Sequence, residues 1–274
     1  MTERLRYVYA VTRPFEGVLP DGVRGIGDEP PRLLHHGDLT AVVGAVPAED
    51  FDEAPLRAHL EDLDWLAATA RAHDAVIAAL STVACPVPLR LATVCRDDSG
   101  VRLLLEQGHD RFVRTLDRLD GRVEWGVKVY ADPGKDTGGT APEREPAPGT
   151  APAEGPGAGR TGGGRDYLRR RLHARRNREG DLERADALSR SLHEELSRYA
   201  EAGAVHRPQD ARLSKAEGVN VLNAAYLVDR ARSEAFVERV GRTSEPGIRV
   251  ELTGPWAPYS FAGIAEEDTG EDGR

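Results

Sequence analysis

His73 is the side chain whose position could most readily support acid–base or metal chemistry. It shares the apolar face of a helical pattern with Ala70, Ile77 and Leu80, where a histidine could act as a base or as a ligand. Histidines in such positions are more often hydrogen-bonded residues of the core. We therefore expect His73 to be a core residue. The alternative hypothesis is an enzyme that uses His73 in its chemistry.

The other signals of chemistry are missing from the sequence. Cys85 and Cys95 are the only two cysteines and form no CxxC pair, and the adjacent His35 and His36 lack neighbouring ligands at metal-site spacing. No GxSxG, GxGxxG or GxxxxGKS/T motif occurs in the context that its chemistry requires. We expect two reduced structural thiols, no catalytic residues, no cofactor and no metal.

A cluster of seven arginines lies at residues 165–178. Such a cluster can bind phosphates or an acidic protein surface, although a solvated helical face is the simpler interpretation. Tyr167 is the only aromatic residue there, which argues against nucleic acid as the partner. Arg169, Arg170 and Arg175 are our candidates for contact with a partner protein.

A second candidate surface is the sequence GPWAPYSF at 254–261. Pro255 and Pro258 cannot donate to a sheet ladder, so the preceding strand is expected to end near Gly254 or to continue only as an edge. Rigid aromatic residues here could cover the sheet as a lid or anchor a partner. The partner-binding candidates are Trp256, Tyr259 and Phe261; a lid is favoured for Trp256 and a partner contact for Tyr259.

The elements that position these residues follow from the hydrophobic periodicity. In the first part of the chain the order β, β, α, β, α, β is predicted at 6–11, 39–46, 55–80, 87–95, 97–121 and 122–132. The last strand places Trp125 on its apolar face. In the second part the order is α, β, β, α, β, with strands near 204–213, 219–228 and 248–254.

Residues 132–164 separate the two parts. They hold ten glycines and six prolines in 33 positions and no large apolar residue, which predicts a flexible, disordered linker. The chain is thus divided into an N-terminal domain at 1–131 and a C-terminal domain at 165–264, followed by an acidic, disordered tail at 265–274. The fold class is predicted as α+β, each domain being a modified ferredoxin-like sandwich.

Composition is typical of a globular protein. The 274 residues are 39% apolar and 30% charged, with a net charge of −9, which is enough for one or two ordinary cores. The chain begins with charged residues and contains no run of 18 apolar residues. We therefore expect no secretory signal and no membrane-spanning helix. We expect a cytoplasmic protein.

Four regions of the sequence together resemble the gas vesicle protein F/L family (GvpL/GvpF). They are RYVYAV with LTAVVGAVP, DLDWLAATARAHDAVI with PVPLRLATVC, EWGVKVY, and VELTGPWAPYSF with the preceding NVLNAAYLV. The string Gly-Pro-Trp-x-Pro-Tyr is the most specific of them. One departure lies at Leu91-Ala92, where the family usually carries Phe-Gly.

The resemblance implies a non-enzymatic accessory factor of two ferredoxin-like α+β domains. Such a factor binds the small structural shell protein, with other gas vesicle accessory proteins as further candidate partners, and assists nucleation or assembly of the gas vesicle. It implies a cytoplasmic location associated with the vesicle. The alternative is a ferredoxin-like module that binds a small ligand or acts as a regulatory binding module, because a fold does not determine a function.

Overall fold

A computed structural model of the protein describes residues 3–17, 19–131, 163–208 and 218–263. The predicted tail at 265–274 lies outside the described residues. So does the predicted linker at 132–164, except that its last two residues begin a helix.

The first antiparallel sheet contains five strands in the order β2-β3-β1-β4, with β5 also paired to β1. The strands are β1 (Arg4–Thr12), β2 (Arg32–His36), β3 (Leu39–Pro47), β4 (Val87–Pro88) and β5 (Val94–Cys95). The β-branched and aromatic runs of the sequence form the central strands β1 and β3. Gly37, with φ of 59°, and Asp38 form the tight turn between β2 and β3.

The second antiparallel sheet has the order β7-β8-β6-β9. Its strands are β6 (Arg122–Ala131), β7 (Ala202–Val205), β8 (Val219–Asp229) and β9 (Ile248–Trp256). β9 is an edge strand, as the prolines near its end predicted, and it continues two residues beyond Gly254.

The helices are α1 (Ala48–Phe51), α2 (Glu53–His59), α3 (Leu63–Leu80), α4 (Asp98–Gln107), α5 (His109–Leu119), α6 (Gly163–Ser197), α7 (Ser233–Gly241) and α8 (Tyr259–Ala262). The single long helix predicted at 55–80 is divided. Asp62 caps α3 by accepting the backbone N–H groups of Asp64 and Trp65, so a new helix begins there. Asp97 caps α4 in the same way, and Gly108 separates α4 from α5.

The predicted α+β fold with ferredoxin-like units is confirmed. Along the chain, β6-α6-β7-β8-α7-β9 is a βαββαβ unit whose sheet order matches the ferredoxin-like arrangement. The first sheet has the same strand order, but the described residues of its first connection form the 3-10 turn Ile26–Asp28 and no α-helix. The first unit departs from the ferredoxin-like arrangement in this respect.

The division of the chain at residue 131 does not follow the sheets. The strand Arg122–Ala131 precedes the predicted linker, yet it pairs with β8 and β9 in the second sheet. The predicted linker therefore falls within the β6 to α6 connection of the second unit. The strand's position in the sequence suggested the first unit, whereas pairing determines its sheet.

Three apolar clusters fill the part of the molecule that the structure describes. The middle cluster joins one face of each sheet with α4, α5 and α8, and includes Val8, Val43, Leu105, Phe112, Leu227 and Phe261. The opposite face of the first sheet packs against α1 to α3, and that of the second sheet against α6 and α7. Because the middle cluster contains residues of both sheets, the two units share a core.

Candidate functional site

An open groove of about 900 Å³ lies between α3 and a segment that comprises the end of β9 and the residues after it. We call residues 254–263 the hook. One wall is the exposed face of α3, which includes Arg71, Ala75 and Ala78. The other wall consists of hook residues, among them Pro255 and Trp256. The start of β6 also lines the groove. The groove is thus formed by α3, the hook and β6, and it exists only where the second sheet meets α3.

A β-bulge directs Trp256 into this groove. Gly254 and Pro255 of β9 together oppose the single residue Trp125 of β6, which shifts the register by one residue. Such a bulge reverses the alternation of the side chains that follow it. Trp256 consequently lines the groove and is 57% exposed.

Gly254 is the residue that allows this bulge. Its φ is 120°, a conformation that other residues rarely adopt. A Cβ atom there would also lie 2.8 Å from the backbone oxygen of Glu124. The glycine in GPWAPYSF is therefore required by both backbone conformation and space.

Glu124 of β6 holds the hook through Ser260. Its carboxylate accepts hydrogen bonds from the backbone N–H and from the hydroxyl of Ser260, both at 2.8 Å. Burial raises the pKa of Glu124, while the two bonds from Ser260 act in the opposite direction. A buried carboxylate with its oxygens paired in this way fixes the position of the short helix α8.

Tyr259 connects the hook to α3. Its hydroxyl donates to a carboxylate oxygen of Asp74 at 2.8 Å, and its ring lies 6.2 Å from the ring of His73. Burial and the hydrogen bond to Asp74 both raise the pKa of Tyr259. Although Tyr259 is 38% exposed, its polar end is already used within the chain.

The end of the hook is buried. Phe261, only 7% exposed, and Ala262 pack in the middle cluster between the two sheets. Phe261 thus has a core position, and its ring is not available to a partner. The hook is anchored by Tyr259, Ser260 and Phe261, and Trp256 is its most exposed aromatic residue.

The two tryptophans of this region differ in their surroundings. Trp125 is 9% exposed, packs in the cluster with Phe236 and donates its indole N–H to Ser233 at 3.1 Å. Its predicted place on the apolar face is confirmed. Trp256, expected to cover the sheet as a lid, is exposed because the bulge turns it outward.

Three arginines that no sequence pattern indicated also line the groove. They are Arg71 of α3, Arg122 at the start of β6 and Arg230 after β8. The signal that could have found the α3 wall is its exposed face, where Ala75 and Ala78 stand at positions that surface helices usually fill with charged residues.

The arginine-rich segment lies on the first half of α6. Arg169 and Arg175 are exposed, and Arg175 forms an ion pair with Glu179 at 2.9 Å. The side chain of Arg170 lies outside the described residues. The groove-lining residues of the described chain include none from α6, so these arginines are not brought together with the hook.

His73 is a core histidine, as expected. It is 2% exposed, and its Nδ1 lies 3.0 Å from the hydroxyl of Tyr7. Burial lowers the pKa of His73. Cys85 and Cys95 are both free thiols whose pKa is raised by burial, which disfavours the reactive thiolate.

The described ranges contain neither a metal-binding cluster nor a membrane-spanning helix. Within residues 3–17, 19–131, 163–208 and 218–263, no group of three His, Cys, Asp or Glu side chains is arranged to hold a metal ion. None of the helices in this part of the chain is both long and apolar enough to cross a membrane.

Comparison with known sequences gives matches along almost the whole chain. Residues 5–263 match the model of the family described as gas vesicle synthesis protein GvpL/GvpF. The chain is 75% identical over 270 residues to gas vesicle protein L of a Streptomyces species, covering 98% of this chain and 97% of that protein. It is 27% identical over 259 residues to gas vesicle protein F of the same organism, with 93% and 98% coverage.

Two crystal structures have a similar fold. Gas vesicle protein GvpF from Anabaena sp. aligns with a TM-score of 0.61 at 16% identity, covering 96% of this chain and 97% of that one. GvpF from Microcystis aeruginosa aligns with a TM-score of 0.59 at 17% identity, with 95% and 99% coverage. At such low identity the likeness concerns the fold.

Proposed function

The chain belongs to the GvpL/GvpF family of gas vesicle synthesis proteins, as the sequence resemblance predicted, and we propose that it assists vesicle assembly by binding the small shell protein. In this proposal it acts in the cytoplasm without catalysis and associates with the growing vesicle. Other gas vesicle accessory proteins are further candidate partners.

The exposed Trp256 is the observation that carries the proposal. A tryptophan at 57% exposure, on a backbone held by a bulge and by two flanking prolines, loses little freedom when a partner covers it. Tryptophan is also enriched among the residues that contribute most to protein interfaces. Trp256 and the neighbouring groove therefore form the proposed contact surface.

Binding of this kind would address a physical problem of shell assembly. A subunit with a strongly apolar face tends to aggregate before it is incorporated. A partner that presents an apolar groove can cover such a face and release it at the growing edge. This role requires neither a cofactor nor a catalytic group.

Co-expression with the shell protein, followed by pull-down, tests the proposal. We expect wild type to retain the shell protein and Trp256→Ala to retain much less. Leu103→Ala is the matched control, because Leu103 is an exposed apolar residue of α4 (51%) away from the groove. Failure of wild type to retain the shell protein, with unchanged vesicles after gene deletion, would reject the proposed function.

The arginines of α6 remain a second proposed contact. Arg169 and Arg175 are exposed and could meet an acidic partner surface together with Arg170. Charge reversal of Arg169 and Arg175 in the same pull-down separates this surface from the groove. If the charge-reversal variant no longer retains the shell protein while Trp256→Ala still does, the contact lies on α6 and not at the groove.

A further inference from the structure

Two arginines of the groove lack a hydrogen-bonding or ionic partner in the part of the chain that the structure describes. Arg71 and Arg230 form no ion pair and no side-chain hydrogen bond with any residue that the structure describes. The two carboxylates of the groove, by contrast, accept hydrogen bonds from uncharged groups: Asp74 accepts from Tyr259, and Glu124 accepts twice from Ser260. The charged side chains of the groove that lack a hydrogen-bonding partner among the described residues are therefore the two arginines.

The two unpaired arginines lie toward different ends of the groove. Arg71 is near the middle of α3, close in sequence to Asp74. Arg230 lies near Cys85: burial raises the pKa of that thiol, and the charge of Arg230 acts against this. Because an α-helix rises 1.5 Å per residue, the groove wall from Arg71 to the end of α3 at Leu80 is about 14 Å long.

The walls also restrict how a protein segment could bind. Adding a strand requires free backbone N–H groups along an edge, and Pro255 and Pro258 have none. The opposite wall is a helix whose own backbone groups are paired within it. Side chains must then provide the contacts, which suits a helix lying against α3 and Trp256 rather than an added strand.

We infer that the groove binds an amphipathic helical segment of a partner, about ten residues long, whose apolar face meets Trp256 and Ala78 and whose carboxylates pair with Arg71 and Arg230. The inference rests on the proposed function, in which this segment belongs to the shell protein. The apolar contact contributes most of the affinity, and the two arginines fix the orientation and select acidic partners.

Two synthetic helical peptides of about 14 residues provide the probes. Both carry leucine and alanine on one face; one has glutamate and the other lysine at the remaining positions. We expect the glutamate peptide to bind the full chain at least about tenfold more tightly than the lysine peptide, with affinity that falls as salt rises. Equal binding of the two peptides would overturn the inference.

Charge reversal tests the two arginines directly. We expect Arg71→Glu and Arg230→Glu each to weaken binding of the glutamate peptide by about tenfold. The control is Arg102→Glu, at an exposed arginine of α4 outside the groove, which should leave the affinity for this peptide unchanged. Circular dichroism verifies that each variant is folded. An affinity unchanged in both reversals would show that the groove does not select carboxylates.

The same variants separate this inference from the proposed function. If wild type retains the shell protein in pull-down and the reversals retain it equally, the shell protein still binds but the inference is wrong. A wild-type dimer that dissociates on charge reversal would identify a second copy as the occupant and overturn the inference. A truncated chain that lacks residues 264–274 gives a further test. If it binds the glutamate peptide much more tightly than the full chain does, the acidic tail occupies the groove and the inference is overturned.

Discussion

The two ends of the hook have similar composition and opposite environments. At one end Phe261 and Ala262 are buried between the sheets, and at the other Pro255 and Trp256 are exposed at the groove. Only three residues separate Trp256 from the hydrogen-bonded Ser260. The difference shows that a single short segment can join the two units at one end and leave an aromatic side chain exposed at the other.

The buried end gives the largest expected effect. Phe261→Ala removes a ring from the core shared by both sheets, and we expect the free energy of unfolding to fall by about 3–5 kcal/mol. Urea denaturation of wild type and variant measures it. An effect below about 1 kcal/mol would mean that this end is not anchored in the core.

The exposed end should affect binding and not stability. Trp256→Ala is expected to change the free energy of unfolding by less than about 0.5 kcal/mol. Binding to the shell protein should weaken by about 2 kcal/mol, or about thirtyfold in Kd. A large loss of stability in this variant would place Trp256 with Phe261 and remove the contrast between the ends.

Tyr259 lies between the two ends and has an intermediate role. Tyr259→Phe removes the hydrogen bond to Asp74 and is expected to lower the free energy of unfolding by about 1 kcal/mol. Its effect on binding should be smaller than that of Trp256→Ala. A double-mutant cycle with Asp74→Ala measures the coupling, and strictly additive effects would show that this hydrogen bond does not hold the hook.

Much of the fold could be predicted because it depends on local patterns. The apolar alternation of β6 placed Trp125 inside, and the helix predicted from residue 97 begins at Asp98, directly after its cap Asp97. The sheet to which β6 belongs depends on long-range pairing, which periodicity does not report. The sequence did contain one indication that β6 belongs to the second sheet. The second part was predicted as α, β, β, α, β, which lacks the first strand of a βαββαβ unit.

The candidate site was only partly predictable. The sequence singled out GPWAPYSF, but an aromatic residue between prolines suits a lid and an anchor equally well. Its exposure depends on a bulge created by pairing with β6. Arg71 and Arg230 are far apart in the sequence, and only the meeting of α3 with the second sheet places both at one groove.

One departure from the family pattern gives the smallest expected effect. Ala92, where the family usually has glycine, has φ of 65°, a conformation that is unfavourable for alanine. We expect Ala92→Gly to raise the free energy of unfolding by about 0.5–1 kcal/mol, although glycine also makes the unfolded chain more flexible. Thermal denaturation measures this effect, and a lower melting temperature would show that the unfolded-state term dominates.

The proposed contact joins the shell protein to the groove beside the exposed end of the hook. A photo-crosslinking amino acid placed at Ala78, on the exposed wall of α3, tests it in cells that co-express the shell protein. The matched control carries the same group at Arg102 of α4, outside the groove. We predict a crosslink to the shell protein from position 78 and little from position 102, whereas a crosslink from 102 with none from 78 would contradict the account.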